Sequence, residues 1–189
     1  LWTMFTNNEA DLWKNSIEYM HDAVYYYSLW NGDYPYKQCT AVDGTISAGG
    51  GMEYPNVTVI GESSTAIALE EVIMHEVGHN WFYGMLASNE RDHPWMDEGL
   101  NSFDELRYMR LKYPEHNLLT GGIPASLTRI FDLKDATNKN IQGELMYFMN
   151  AWTGKDQPIE LHSCKYTGMN YGGIVYSKTA IVFDYLMAY

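Results

Sequence analysis

His75-Glu76-Val77-Gly78-His79, followed by Glu98 in Trp95-Met96-Asp97-Glu98-Gly99, is the stretch on which the reading of this chain turns. Eighteen residues separate His79 from Glu98. On a helix, positions i and i+4 share a face, about 6 Å apart along the axis, so both imidazoles can point a nitrogen at one metal ion. Glu76 is rotated from that pair by about 100° and stays within reach of a water held there. The lead-in Thr65-Ala66-Ile67-Ala68-Leu69-Glu70-Glu71-Val72-Ile73-Met74 contains neither Pro nor Gly, and Ser63, Ser64 or Thr65 offers an N-cap. A second helix is expected from Pro94, whose ring suits a first turn, through Leu100, Phe103, Leu106, Tyr108 and Leu111 up to Pro114. Folded back on the first helix, it would bring Glu98 to the two histidines.

Two imidazoles and a carboxylate make a three-point site for Zn²⁺, with His75, His79 and Glu98 as metal ligands and one ion per chain. Cobalt or manganese also suits such a donor set. Three protein ligands leave one position open to water, whose pKa falls to about 7 on the metal. Glu76 is then the general base that takes a proton from that water and passes it to the leaving group. The pattern predicts a zinc hydrolase.

Two further segments widen the reading. Gly50-Gly51-Met52-Glu53-Tyr54 lies upstream of the histidines, and Val175-Tyr176-Ser177-Lys178 lies downstream, with Tyr171 five residues before Tyr176. Taken together, in this order and at this spacing, the three motifs resemble the aminopeptidase N-like zinc metallopeptidases, the gluzincin family that includes the leukotriene A hydrolases. The resemblance runs from about residue 35 to residue 189. Gly50 to Tyr54 stands where that family carries G-x-M-E-N, with Tyr54 in place of the Asn. Tyr176 stands where it carries a catalytic tyrosine in a Y-x-K-G context, with Thr179 in place of the Gly.

The resemblance implies that Glu53, with Gly50, Gly51 and Met52, binds substrate through the free α-amino group of a peptide. A carboxylate at a fixed distance from the metal would measure one residue from the N-terminus. It implies that Tyr176 donates to the oxyanion of the tetrahedral intermediate, an effect commonly worth several kcal/mol. It also implies that Asn56-Val57-Thr58-Val59-Ile60 is an edge strand that pairs with the substrate backbone.

Composition narrows the partners. The chain has 189 residues and 46% hydrophobic content, enough for one sizeable core. A formal net charge of −12 argues against a nucleic-acid or anionic-membrane surface, because phosphate contacts need Lys and Arg. No run approaches the eighteen apolar residues of a membrane span. Cys39 and Cys164 are either two free thiols or one disulfide. The glycine run is not followed by Gly-Lys-Ser/Thr, which disfavours a phosphate loop.

Along the chain, Asn7 to Leu29 reads as a helix burying Leu12, Ile17, Met20, Val24 and Tyr27, stopped by Asn31-Gly32-Asp33. Tyr36 to Val42 reads as a strand and Asp43-Gly44 as a turn. Gly121-Gly122 and Pro124 mark a loop, Glu144 to Trp152 a short helix, and Tyr176 the start of the final helix. His93 reads as structural or as a support to the ligands rather than as a ligand, and Asp97 as a helix-start carboxylate that could also hold a ligand in place.

The expected fold is α+β: a thermolysin-like zinc metallopeptidase catalytic domain spanning residues 1–189, with a small mixed sheet packed on a helical lobe. The abrupt first residues and the helix-like last ones lead us to expect a domain excised from a longer chain and truncated at its C-terminus, whose neighbouring domains are its partners. The expected reaction is hydrolysis of an N-terminal peptide bond in peptides with a free N-terminus. Rival readings are a zinc endopeptidase, an epoxide-hydrolase-like relative, and, in another class, a non-catalytic binding module.

Overall fold

Short β-branched runs and the glycine-rich stretch build one four-stranded sheet. In the computed structural model, which describes residues 1–46, 49–117, 136–141 and 144–189, the strands are β1 (Trp2–Met4), β2 (Thr40–Asp43), β3 (Gly51–Met52) and β4 (Val57–Ile60). Their order is β1-β2-β4-β3. β1 and β2 are parallel, β2 and β4 are parallel, and β3 runs antiparallel to β4 with Gly51 opposite Ile60 and Met52 opposite Val59. The sheet is therefore mixed, as expected. β4 is interior, however, and β1 and β3 are the edge strands among the described ones, so the segment expected at the edge is not there. The glycine run itself holds that position.

Parallel neighbours need a long crossover, and helices usually supply it. Here α1 (Ala10–Trp13) and α2 (Ser16–Asn31) connect β1 to β2. The single helix expected over Asn7 to Leu29 is thus two, broken at Lys14 and Asn15. The break shifts the buried face: Trp13, Tyr19, Met20, Ala23 and Tyr27 are buried, while Ile17 is 50% exposed and Leu12 and Val24 are half-buried. The strand expected from Tyr36 is confined to β2, because the Tyr34 hydroxyl donates to the Gln38 carbonyl at 3.0 Å and holds the approach as a loop.

Thr65 caps α3 (Ala66–Gly78), its hydroxyl oxygen accepting from the Ala68 N–H at 3.1 Å. α3 packs on α2 around Trp81, whose ring stacks on Tyr27 with centroids 5.3 Å apart and whose Nε1 donates to the Gly32 carbonyl at 2.8 Å. Beyond α3, a π-type stretch Asn80–Met85 is kinked at Phe82 and at Tyr83, which takes φ 79° and ψ −60°. That is the tight three-residue turn region, rare and strained for a residue with a Cβ.

The residues above form one compact unit, Leu1–Asn89; a second unit is Glu90–Tyr189. In the second, Pro94 is the first helical residue, a π-type stretch Trp95–Gly99 runs into α4 (Leu100–Lys112), and the helix ends before Pro114. α5 (Asn138–Ile141) and α6 (Glu144–Trp152) follow, the latter as expected. The helical run that carries Tyr176 starts earlier than expected, with α7 (Gly168–Asn170), passes through a π-type stretch Tyr171–Lys178, and ends as α8 (Thr179–Ala188). Tyr176 is therefore inside the run. Arg110 joins α4 to α8 through Asp184 at 2.7 Å, and Phe183 stacks on Trp95. The loop expected at Gly121-Gly122 and Pro124 lies outside the described residues. Cys39 is a buried free thiol and Cys164 an exposed one, so they do not form a disulfide. Among the described residues, no helix is long and apolar enough to cross a membrane.

Candidate metal centre and active site

In the first unit, α3 places His75 and His79 one turn apart. Their Nε2 atoms converge to 3.2 Å, with ring centroids 4.9 Å apart and planes at 80°. Two nitrogens about 2.05 Å from a tetrahedral zinc would stand about 3.3 Å apart, so this donor pair fits one ion. His79 is 2% exposed and lies at the end of α3, where its carbonyl accepts from the Gly84 N–H at 2.9 Å. That bond fixes the last turn of the helix.

Glu76 is 6% exposed. Gly51 on the edge strand approaches it so closely that a Cβ there would lie 2.3 Å from Glu76 Cγ and 2.5 Å from Oε1. Glu53, Glu76 and His79 each bring one ligand-type atom within 4.8 Å of the others. The first unit thus gathers His75, Glu76, His79, Glu53 and Gly51 in one place, as the motif order suggested.

Glu53 directly follows β3 and begins the turn into β4. The Val57 N–H donates to the Tyr54 carbonyl at 3.1 Å, and Asn56 closes the turn at φ 65°, a left-handed position that Asn tolerates. Gly50 is exposed, and its carbonyl accepts from the Gly61 N–H at 2.7 Å. The Met52 carbonyl accepts from the Thr58 hydroxyl at 3.2 Å, and its side chain is 40% exposed. Both bonds tie the glycine run to β4 and the residue after it, which leaves the outer side of β3 as a rim of the sheet.

In the second unit, Glu98 sits in the π-type stretch Trp95–Gly99 and Tyr176 in Tyr171–Lys178. The first of these stretches crosses the helical run that carries Tyr176 at Gly99: a Cβ there would meet Thr179 Cβ at 2.5 Å and the Val175 carbonyl at 2.6 Å. Glycine therefore permits the close crossing of the two segments. The Tyr171 ring packs edge-on against Tyr176 with centroids 6.0 Å apart.

Glu160 holds the approach to Glu98 by accepting from Trp95 Nε1 at 2.6 Å and pairing with His93 Nδ1 at 2.5 Å. His93 is thus a structural residue. Asp97 lies in the first turn of the helical run, as expected of a helix-start carboxylate, and is buried at 2% exposed. Lys178 donates to Asp156 Oδ2 at 2.7 Å, and the Tyr147 hydroxyl donates to the same oxygen at 3.2 Å. Partial burial would raise the Asp156 pKa, but Lys178 and Tyr147 outweigh it and hold the carboxyl below its usual range.

Reading the sequence did not pick out Asn80, Glu160 or Asp156. Each acts through a partner distant along the chain, and their residue types are common on ordinary surfaces and turns. For Asn80, the one available signal was its position next to His79.

Comparison with known proteins places the chain in a family. A model of the peptidase family M1 domain matches residues 14–189. Aminopeptidase Q of Mus musculus is 30% identical over 98 residues, 46% of this chain and 18% of that protein. Leucine aminopeptidase 2 of Candida albicans is 26% identical over 122 residues, 62% of this chain and again 18% of the relative. The chain thus spans under a fifth of the length of these two relatives. A mutant M1 zinc metallopeptidase from Deinococcus radiodurans superposes with a TM-score of 0.52 at 14% identity, covering 88% of this chain and 32% of that one. A two-domain M1 zinc metallopeptidase mutant bound to L-arginine gives 0.54 at 14% identity, covering 89% and 32%. At that identity the likeness is one of fold: a small mixed sheet with helices. With the family model running from residue 14 to residue 189, the chain belongs to peptidase family M1.

Proposed function

We propose that this chain is the thermolysin-like catalytic domain of a zinc aminopeptidase, binding one Zn²⁺ and cleaving the N-terminal residue from peptides with a free α-amino group. The observation that carries the reading is the 3.2 Å convergence of the His75 and His79 Nε2 atoms beside the buried Glu76. His75 and His79 supply two ligands, and Glu98, separated from His79 by eighteen residues, supplies the third. Two imidazoles and a carboxylate suit zinc with one position left open. The names of the two curated relatives support the aminopeptidase assignment.

Bound zinc supplies a Lewis acid for the scissile carbonyl and acidifies a water. Glu76 accepts a proton from the attacking water and returns it to the leaving amine. Tyr176 donates its hydroxyl to the oxygen on which negative charge develops. Glu53 accepts hydrogen bonds from the substrate ammonium, while Gly50, Gly51 and Met52 present the sheet edge to the substrate backbone. Neighbouring domains of a longer chain are the proposed partners in closing the cleft.

Two peptides that differ only in N-terminal acetylation test the assignment. The free peptide is expected to be cleaved at least about 100-fold more efficiently, because a site built to bond the amine rejects its blocked analogue. Equal cleavage would make the enzyme an endopeptidase and remove the role of Glu53. Metal analysis tests the centre: Glu98→Ala is expected to lose zinc, and Glu76→Gln to keep zinc while losing about 10²- to 10⁴-fold in turnover. Unchanged zinc content in Glu98→Ala would sink its assignment as a ligand.

A further inference from the structure

Asn80 follows the second histidine and is 5% exposed. Its amide is used twice. Nδ2 donates to the Val77 carbonyl at 2.9 Å, a bond local to the helix. Oδ1 accepts from the Asn56 backbone N–H at 3.1 Å, a bond across 24 residues of sequence. The two bonds use the donor and acceptor ends of one planar amide, so they also fix its rotamer.

The long-range bond joins two parts of the site. Asn80 continues the helix that bears His75, Glu76 and His79, and Asn56 closes the turn that opens with Glu53. The turn has a second tether on the sheet side, where the Thr40 N–H donates to the Asn56 carbonyl at 2.9 Å. Asn56 is thus gripped by its carbonyl from the sheet and by its N–H from the metal helix. Its left-handed conformation, φ 65°, is held between those grips. A turn fixed only by the sheet could shift relative to the helix. A turn bonded to Asn80 cannot shift without breaking a part-buried hydrogen bond.

We infer that Asn80 is a positioning residue for the amine-selecting carboxylate: it locks the Glu53 turn to the metal helix and sets the distance between Glu53 and the histidine pair. The inference rests on the aminopeptidase reading of Glu53.

The test is a mutant cycle in the full-length, zinc-loaded protein with a free-amine peptide. Asn80→Ala is expected to weaken KM by about tenfold, with a smaller change in kcat and unchanged zinc content. Asn80→Asp keeps an acceptor for the Asn56 N–H and drops the donor to Val77, so it is expected to stay within about threefold of the native enzyme. In a Glu53→Gln background, Asn80→Ala is expected to change kcat/KM by less than about twofold, since two residues acting through one another are not additive.

Hydrogen exchange in the metal-free protein reads the bond without activity. The Asn56 amide is expected to exchange about tenfold faster in Asn80→Ala and at the native rate in Asn80→Asp. Equal losses in both Glu53 backgrounds, an Asp variant as poor as the Ala variant, or unchanged exchange at Asn56 would each overturn the inference alone. A Glu53→Gln enzyme with native kinetics on free-amine peptides would overturn the aminopeptidase reading itself and the inference with it.

Discussion

For the single residue, the room for the base proposed at Glu76 depends on a methyl group that is missing. Gly51 lies where any Cβ would stand 2.3 Å from Glu76 Cγ, so a side chain there must displace the proposed base. Gly51→Leu is expected to retain zinc, because no histidine moves, and to lose at least about tenfold in kcat through the misplaced base. Native turnover in that variant would show that Glu76 does not work from the position seen here. The residue scale was also where sequence reading reached furthest. His75, Glu76 and His79 were legible because the pitch of a helix is stiff, so spacing alone predicts which side chains share a face. Asn80 was not legible. An amide beside a histidine reveals nothing of a partner at Asn56, because the loop that brings them together has no repeating geometry.

Among the elements, legibility depended on whether an element is specified locally. Thr65 and the Pro-free run after it announce α3, and Pro94 announces the run into α4. The two-residue strand β3 and the interior place of β4 depend on pairing across the sheet, which no local pattern carries. The expected edge strand was misplaced for that reason. The π-type stretches at Trp95–Gly99 and Tyr171–Lys178 were also beyond reach, since a wider turn keeps a helix-like apolar pattern. Such turns recur at functional sites, and here they carry Glu98 and Tyr176.

The second of these stretches is anchored by Lys178 on Asp156. Because the folded-state pKa of Asp156 is lowered, its stabilising contribution is complete above the ordinary carboxylate range and is lost as pH falls through the folded value. Lys178→Met is therefore expected to be less stable than the native chain by at most about 1 kcal/mol at neutral pH, since the pair is partly solvated. The gap should close as pH falls below about 4. Denaturant unfolding at several pH values measures it, and a gap that stays constant into acid would rule out this pair as its source.

For the molecule as a whole, two thiols report on two units. Cys39 is 1% exposed in the first unit and Cys164 is exposed in the second. Burial pushes the Cys39 thiol up in pKa, which further lowers its reactive fraction. An alkylating reagent at neutral pH is expected to modify Cys164 alone in the native protein and both thiols in denaturant, counted by intact mass. Equal labelling rates in the native protein would mean that the first unit opens readily around β2. Composition read the gross scale well, since a net charge of −12 and 46% hydrophobic content already pointed to an acidic, core-forming chain. The division into two units was not visible in it, because no Gly-, Pro- or Ser-rich stretch marks the boundary between Asn89 and Glu90. The shortness of the rim strand β3 has one more consequence, and it concerns aggregation. A sheet edge of the kind proposed to take a peptide also offers its backbone to other unfolded chains, and long flat edges seed fibrils. With only Gly51 and Met52 in the strand and a turn beginning at Glu53, the rim gives an invading chain too few backbone groups for a lasting ladder. The sheet can therefore keep a short strand edge at β3 without that edge becoming a template for polymer.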